Sequence, residues 1–227
     1  MTGTVKEEAI KLRQNIDRVY EAGRKSFHVD YQNGGARTDY GTAYAGAGWN
    51  NDTFKPVYDI QPTNAYMIFR ATGISGDLVS LLEQCGVSLD FSKATNTQYL
   101  FNASRNIVRV GIVDVTSSTN SVQMDNTFAQ CTSLTTVDLV RINEKTKFNT
   151  STFSGCSALT FVGFDGPISN SLYIQYSPSL TNECIQGIID HLATVTTQQT
   201  LTLHADVVGK LTPEQILTIT NKNWQVM

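Results

Sequence analysis

Charge is scarce in this 227-residue sequence: Asp, Glu, Lys and Arg together make up 16%, and their balance is −3. Soluble chains usually carry about a quarter. No stretch concentrates Lys or Arg, and a nucleic-acid partner would need a basic stripe to displace counterions. No apolar run reaches the length of a membrane span, so insertion into a bilayer is not expected. The opening TGTVKEEAIKLRQ is polar and charged, unlike a basic start followed by an apolar run, so no secretory signal is read and folding in the cytoplasm is expected.

Residues with catalytic or metal-binding patterns are equally sparse. The four cysteines, Cys85, Cys131, Cys156 and Cys184, form no C-x-x-C pair, which leaves zinc and redox chemistry unsupported. They are expected as small buried apolar residues. Cys131 and Cys156 stand at matching repeat positions, so a disulfide is open to them, though disfavoured in a reducing compartment. His28, His191 and His204 lack metal-ligand spacing. There is no nucleophile elbow and no phosphate-binding glycine loop. Asp114 and Asp138 would line neighbouring coils, but such pairs are usually solvated, and nothing sets an acid and a base around a pocket. The sequence therefore reads as not an enzyme, with no cofactor and no metal.

What is present begins with a short heptad. Val5, Ala9, Leu12, Ile16 and Val19 are spaced 4, 3, 4, 3 among Lys, Glu, Arg, Gln and Asn. Two readings fit residues 1–25: an oligomerising coil joining parallel chains, or an amphipathic helix packed on its own domain. Residues 26–63 follow, with Gly34, Gly35, Gly41, Gly46 and Gly48 breaking any period. Tyr31, Tyr40, Tyr44, Trp49, Phe54 and Tyr58 are spread among them. This segment reads first as an N-terminal cap and second as a Tyr-rich ligand surface.

The centre of the chain repeats itself. TFAQCTSLTTVDL (127–139) and TFSGCSALTFVGF (152–164) are offset by 25 residues and share Phe-x-x-Cys-x-x-Leu-x-x-Val-x-apolar. LFNASRNIVRVGI (100–112) is a weaker copy, and IFRATGI begins a degenerate one. Phe69, Phe101, Phe128 and Phe153 then lie 32, 27 and 25 residues apart. TTVDL and TFVGF are β-branched and alternating, which predicts strands. Stacked repeats would form one parallel sheet and an internal Phe ladder, with the Cys/Ser/Thr slot kept small for a tight turn.

The T-F-x-x-C-x-x-L-T-x-V motif resembles the BspA-type leucine-rich repeats of bacterial surface proteins and of phages and prophages of gut bacteria. The ending, LTNECIQGIIDHLATV…QTLTLHADVVGKLTPEQILTITNKNWQV, is similar to the closing module of the phage-borne members. RVYEAGRKS and AGAGWNNDTFKPVYDI share that resemblance. Read from its own residues, the ending has Thr181 as a helix N-cap. Ile185, Ile188, Ile189, Leu192 and Val195 follow as one face, with a strand at 200–204. Thr212, Pro213 and Gln215 open a second helix carrying Ile216 and Ile219.

The expected fold is α/β: a leucine-rich-repeat-like solenoid over 64–180 with a parallel sheet, an N-terminal helix or coiled coil and a helical C-terminal cap over 181–227. The resemblance implies a non-enzymatic phage virion component, a tail, baseplate or tail-fibre protein acting in host-surface recognition. The alternatives are a bacterial surface adhesin and a purely structural virion protein. Implied partners are further copies of the chain as a homotrimer, other tail or baseplate proteins, and a bacterial surface glycan or protein. Candidate ligand-facing residues are Thr135, Thr136, Asp138, Thr160, Gly163, Tyr173, Tyr176, Tyr44 and Trp49. Candidate oligomerisation residues are Val5, Ala9, Leu12, Ile16 and Val19.

Overall fold

The computed structural model describes residues 37–39, 44–54, 56, 60–116 and 122–227. The heptad at Val5, Ala9, Leu12, Ile16 and Val19 lies outside the described residues, as do Tyr31, Tyr40 and Tyr58.

Three parallel sheets form in chain order. Strand β1 (Arg37–Asp39) pairs with β2 (Ile60–Asn64). Strands β3 (Gly76–Asp77), β4 (Ile107–Asp114), β5 (Thr136–Arg141) and β6 (Phe161–Asp165) make a four-stranded sheet. Strands β7 (Leu172–Ile174), β8 (Gln199–Leu203) and β9 (Trp224–Val226) make a third sheet. The helices are α1 (Leu78–Cys85), α2 (Asn182–His191), α3 (Ala205–Val208) and α4 (Pro213–Asn221). The described residues thus form a mixed α/β protein with parallel sheets, few helices and no closed barrel.

Register follows from the repeated valines. Val110 pairs with Val137 and Val137 with Val162, and all three are buried. One column of β-branched side chains therefore fills the interior behind the sheet. The predicted strands in TTVDL and TFVGF correspond to β5 and β6. The predicted ring ladder is present too. Phe69 stacks on Phe101, Phe101 on Phe128 and Phe128 on Phe153, with centroids 5.3, 5.8 and 5.2 Å apart and planes within 11° of parallel. Tyr44 extends the ladder, 5.5 Å from Phe69.

The small slot does more than save space. The Cys131 thiol donates to the Phe101 carbonyl at 3.0 Å, and the Cys156 thiol to the Phe128 carbonyl at 3.0 Å. The Ser104 hydroxyl donates to the Phe69 carbonyl in the same way. Each tier's slot residue thus satisfies a buried carbonyl of the tier before it. None of the four cysteines forms a disulfide. Burial pushes the Cys131 thiol well above its ordinary pKa, Cys156 to about 12 and Cys184 to about 11.

The Phe-bearing turns are hydrogen-bonded between tiers as well. The N–H groups of Met67, Phe69 and Ala71 donate to the carbonyls of Gln98, Leu100 and Asn102. Those of Tyr99, Phe101 and Ala103 donate to Asp125, Thr127 and Ala129. The intervening N–H groups of Leu100, Asn102 and Ser104 close local turns instead. This alternation puts Met67, Ala71, Tyr99, Ala103, Asn126 and Gln130 at φ between 52° and 61°. Each of these left-handed residues costs about 1–2 kcal/mol. The ladder of backbone bonds and buried rings over-determines them.

At the C-terminal end, the Thr181 hydroxyl caps α2 by accepting from the Cys184 N–H, and Thr212 and Gln215 form a capping box with Pro213 in the first turn of α4, as predicted. Helix α2 packs on β6, where the Val162 N–H donates to Cys184 Sγ at 3.3 Å. It covers the sheet edge that another strand would otherwise pair with.

Four details differ from the sequence reading. Ile216 is 46% exposed on α4, with only Ile219 buried, because the helix is shallowly seated. Val195 lies beyond the end of α2 at His191. His204 caps α3 rather than ending in a strand, its Nδ1 accepting from the Asp206 N–H. A further tier escaped the pattern: Ile174, Ser177 and Leu180 are buried at the Phe, small and Leu slots, and the Ser177 hydroxyl donates to the Cys156 carbonyl.

Candidate binding groove

An apolar hollow is built around α1. Asp77 starts this helix: its carboxylate accepts from the Val79 and Ser80 N–H groups at 2.9 and 3.3 Å. Gly86, at φ 68°, ends it in the left-handed cap that favours glycine. Leu78, Leu81 and Leu82 are buried beneath it. The helix lies against β4, and Gly111 permits the approach: a Cβ there would stand 3.0 Å from Val79 Cγ2.

Beside that contact is a cavity of about 300 Å³. Val79, Leu82, Val87, Leu89 and Ile112 give it apolar walls, and Glu83 and Asp138 stand at its polar margin. Ile112 is 42% exposed. A concave apolar site with a few polar groups at its edge is the form that ligand pockets take.

The sheet face next to the groove carries two acid–arginine–acid rows. Arg109 binds both oxygens of Asp138, at 2.8 and 2.7 Å, and Asp77 at 3.0 Å. Hydrogen bonds donated to Asp138 and then to Asp77 raise the guanidinium's pKa above its ordinary value. Burial alone would push the Asp77 carboxyl up. Hydrogen bonds from Arg109, from the Ser80 side chain and from the Ser80 and Val79 backbone outweigh it and hold the carboxyl below its usual range. Arg141 stands 3.6 Å from Asp114 and 3.4 Å from Asp165. Asp114 and Asp138 lie on the neighbouring strands β4 and β5, each carboxylate facing an arginine of the other strand.

The candidate ligand-facing residues fall into distinct settings. The Thr135 hydroxyl donates to the Val108 carbonyl at 3.0 Å and the Thr160 hydroxyl to the Thr135 carbonyl at 3.0 Å, so both are tied into the strand stack. Thr136 is half-buried, 3.4 Å from the Thr135 hydroxyl. Gly163 is held by packing, since a Cβ there would meet the Asp138 carbonyl oxygen at 2.4 Å. Asp138 alone of this group reaches the groove. Tyr173 is half-buried, and Tyr176 is 46% exposed on the following turn. Tyr44 is buried against Trp49, Phe54 and Phe69, so its ring belongs to the core, and Trp49 packs on it edge-on.

The groove itself was not read from the sequence, although its signals are there. Asp77 precedes Leu78, Leu81 and Leu82 at helical spacing, and Gly86 stands just past the end. Among the described residues no group of three His, Cys, Asp or Glu is placed to hold a metal ion, and no helix is long and apolar enough to cross a membrane. No family model matches the chain, no curated protein matches it, and no solved structure matches it.

Proposed function

We propose that this chain is a non-enzymatic virion component, a tail, baseplate or tail-fibre protein that recognises a host surface. In this reading residues 64–180 form a leucine-rich-repeat solenoid. Residues 26–63 and 181–227 cap its two ends, and residues 1–25 join three chains. The repeat motif and the ending supply the resemblance to phage-borne BspA-type proteins. The observation that carries the binding role is the groove between α1 and β4, because an exposed Ile112 beside a preformed apolar hollow offers a partner's apolar side chain a place to be buried.

The test uses the labelled full chain on a panel of gut bacterial strains, with Ile112→Asp beside it. Attachment to a subset of strains that Ile112→Asp weakens at least about tenfold supports recognition through the groove. Detection of the chain in purified virions without attachment to any strain points to a purely structural role. Light scattering of the full chain and of a form lacking residues 1–22 tests the trimer. A trimer that falls to monomer on truncation supports the coil, and a monomer in both forms removes it.

A further inference from the structure

A second surface lies on the turns rather than on the strands. Tyr66 and Tyr99 stand on adjacent tiers with ring centroids 5.9 Å apart and planes at 79°. Both rings are half-buried, and neither hydroxyl has a hydrogen-bond partner among the described residues. Beside them Gln98 Nε2 donates to Asp125 Oδ2 at 3.0 Å, and Asn149 Nδ2 donates to Asp125 Oδ1. One carboxylate thus links side chains of three successive tiers. The half-buried Asn126 amide, next to Asp125, has no partner among the described residues.

The backbone fixes this arrangement. The Met67 N–H donates to the Gln98 carbonyl at 3.2 Å and the Tyr99 N–H to the Asp125 carbonyl at 2.9 Å. Tyr99 and Asn126 sit at φ 57° and 55°. A bulky residue such as tyrosine rarely adopts that conformation without compensation. The two rings and the amide–carboxylate row are therefore in place before any ligand arrives, which lowers the entropy cost of binding.

The geometry points to a binding face for a neutral, extended polysaccharide, contacted by Tyr66, Tyr99, Asp125 and Asn126. Phenol rings pack on the C–H faces of sugar rings, while amides, free phenol hydroxyls and a carboxylate exchange hydrogen bonds with sugar hydroxyls. Asp125 and the chain's balance of −3 disfavour an acidic glycan. Neighbouring tiers lie about 4.8 Å apart, close to the rise of one residue along an extended glycan. This inference deepens the host-surface reading and rests on it for its biological setting.

The test is affinity electrophoresis of the full chain in native gels containing a soluble β-glucan, an α-mannan or a galactan. The expected result is retardation by at least one of them. Tyr66→Ala weakens it about tenfold, and Asn126→Gly, which keeps the left-handed backbone and removes an unpaired amide, weakens it as well. Thermal melts establish that each variant is folded. No retardation by any of the three, or retardation that both variants leave intact, overturns the proposal. Attachment to cells separates it from the broader reading. Cell attachment lost with Ile112→Asp but untouched by Tyr66→Ala removes the glycan face and leaves host recognition standing. Polysaccharide binding without attachment to any cell does the reverse.

Discussion

Arg109 grips Asp138 through two parallel hydrogen bonds of 2.8 and 2.7 Å while its third nitrogen holds Asp77 at 3.0 Å. The guanidinium therefore bridges β3, β4 and β5 across the sheet face, and Asp77 at the same time caps α1. Replacing Arg109 by Met keeps its aliphatic stem and removes all three bonds. Because the groups are partly exposed, solvent screening limits the loss to about 1 kcal/mol. Urea unfolding of R109M against the parent measures it.

The same contacts set an acid limit. The folded Asp77 carboxyl titrates below its ordinary value, so its contribution to stability is present above the unfolded pKa of about 3.9 and is lost as pH falls through the folded value. Melting temperature is expected to drop below about pH 4. Asp77→Asn retains a helix cap but not the titration, and it flattens that part of the profile.

The slot residues can be exchanged if the donor is kept. Cys131→Ser places in the third tier what Ser104 already does in the second. It is expected to stay within about 1 kcal/mol of the parent. Cys131→Val fills the space but leaves the Phe101 carbonyl without its partner, costing about 1–3 kcal/mol. Equal losses in the two variants would mean that volume alone governs the position.

Gly163 admits no side chain. With the Asp138 carbonyl 2.4 Å from where a Cβ would stand, Gly163→Ala must push β5 and β6 apart. A loss of about 1–3 kcal/mol is expected, typical of overpacking. An unchanged denaturation midpoint would contradict that close approach.

Thiol chemistry distinguishes one cysteine from the other three. Cys131, Cys156 and Cys184 are buried, whereas Cys85 is half-buried at the end of α1. A thiol reagent at neutral pH is expected to modify Cys85 first and the rest only on unfolding. The raised values of Cys156, about 12, and Cys184, about 11, carry a second consequence. Their stabilising effect is complete below the unfolded thiol pKa of about 8.5 and disappears as pH rises through the folded values. Melting temperature should therefore decline above about pH 8.5, and less so in Cys184→Ser.

Most of the repeat architecture was legible in the sequence because identical chemistry recurs at near-constant spacing. Phe69, Phe101, Phe128 and Phe153 announce their own ladder, and Val137 and Val162 the strands. Features that occur once were harder to read. Helix α1 interrupts the repeat between Phe69 and Phe101, and that interruption accounts for their wider spacing. Its apolar run, Leu78, Leu81 and Leu82, blends into the apolar positions of the repeat. Ile174 was missed because an aliphatic residue stands where the pattern leads one to expect a ring. Thr135, Thr160 and Gly163 looked available between core positions. Their neighbours in the preceding tier occupy them, a relation between residues 25–27 apart that no local window contains. The Tyr66–Asp125–Asn149 surface depends on the same long offsets, and on left-handed residues that few sequence rules anticipate.

The turn bonds have a direction: N–H groups point to the later tier and carbonyls to the earlier one. A tier can therefore be copied and inserted in tandem, since its two surfaces already match. It cannot be flipped. Duplication of such a segment would add about 4.8 Å per copy, moving one surface relative to another in fixed steps set by repeat number alone.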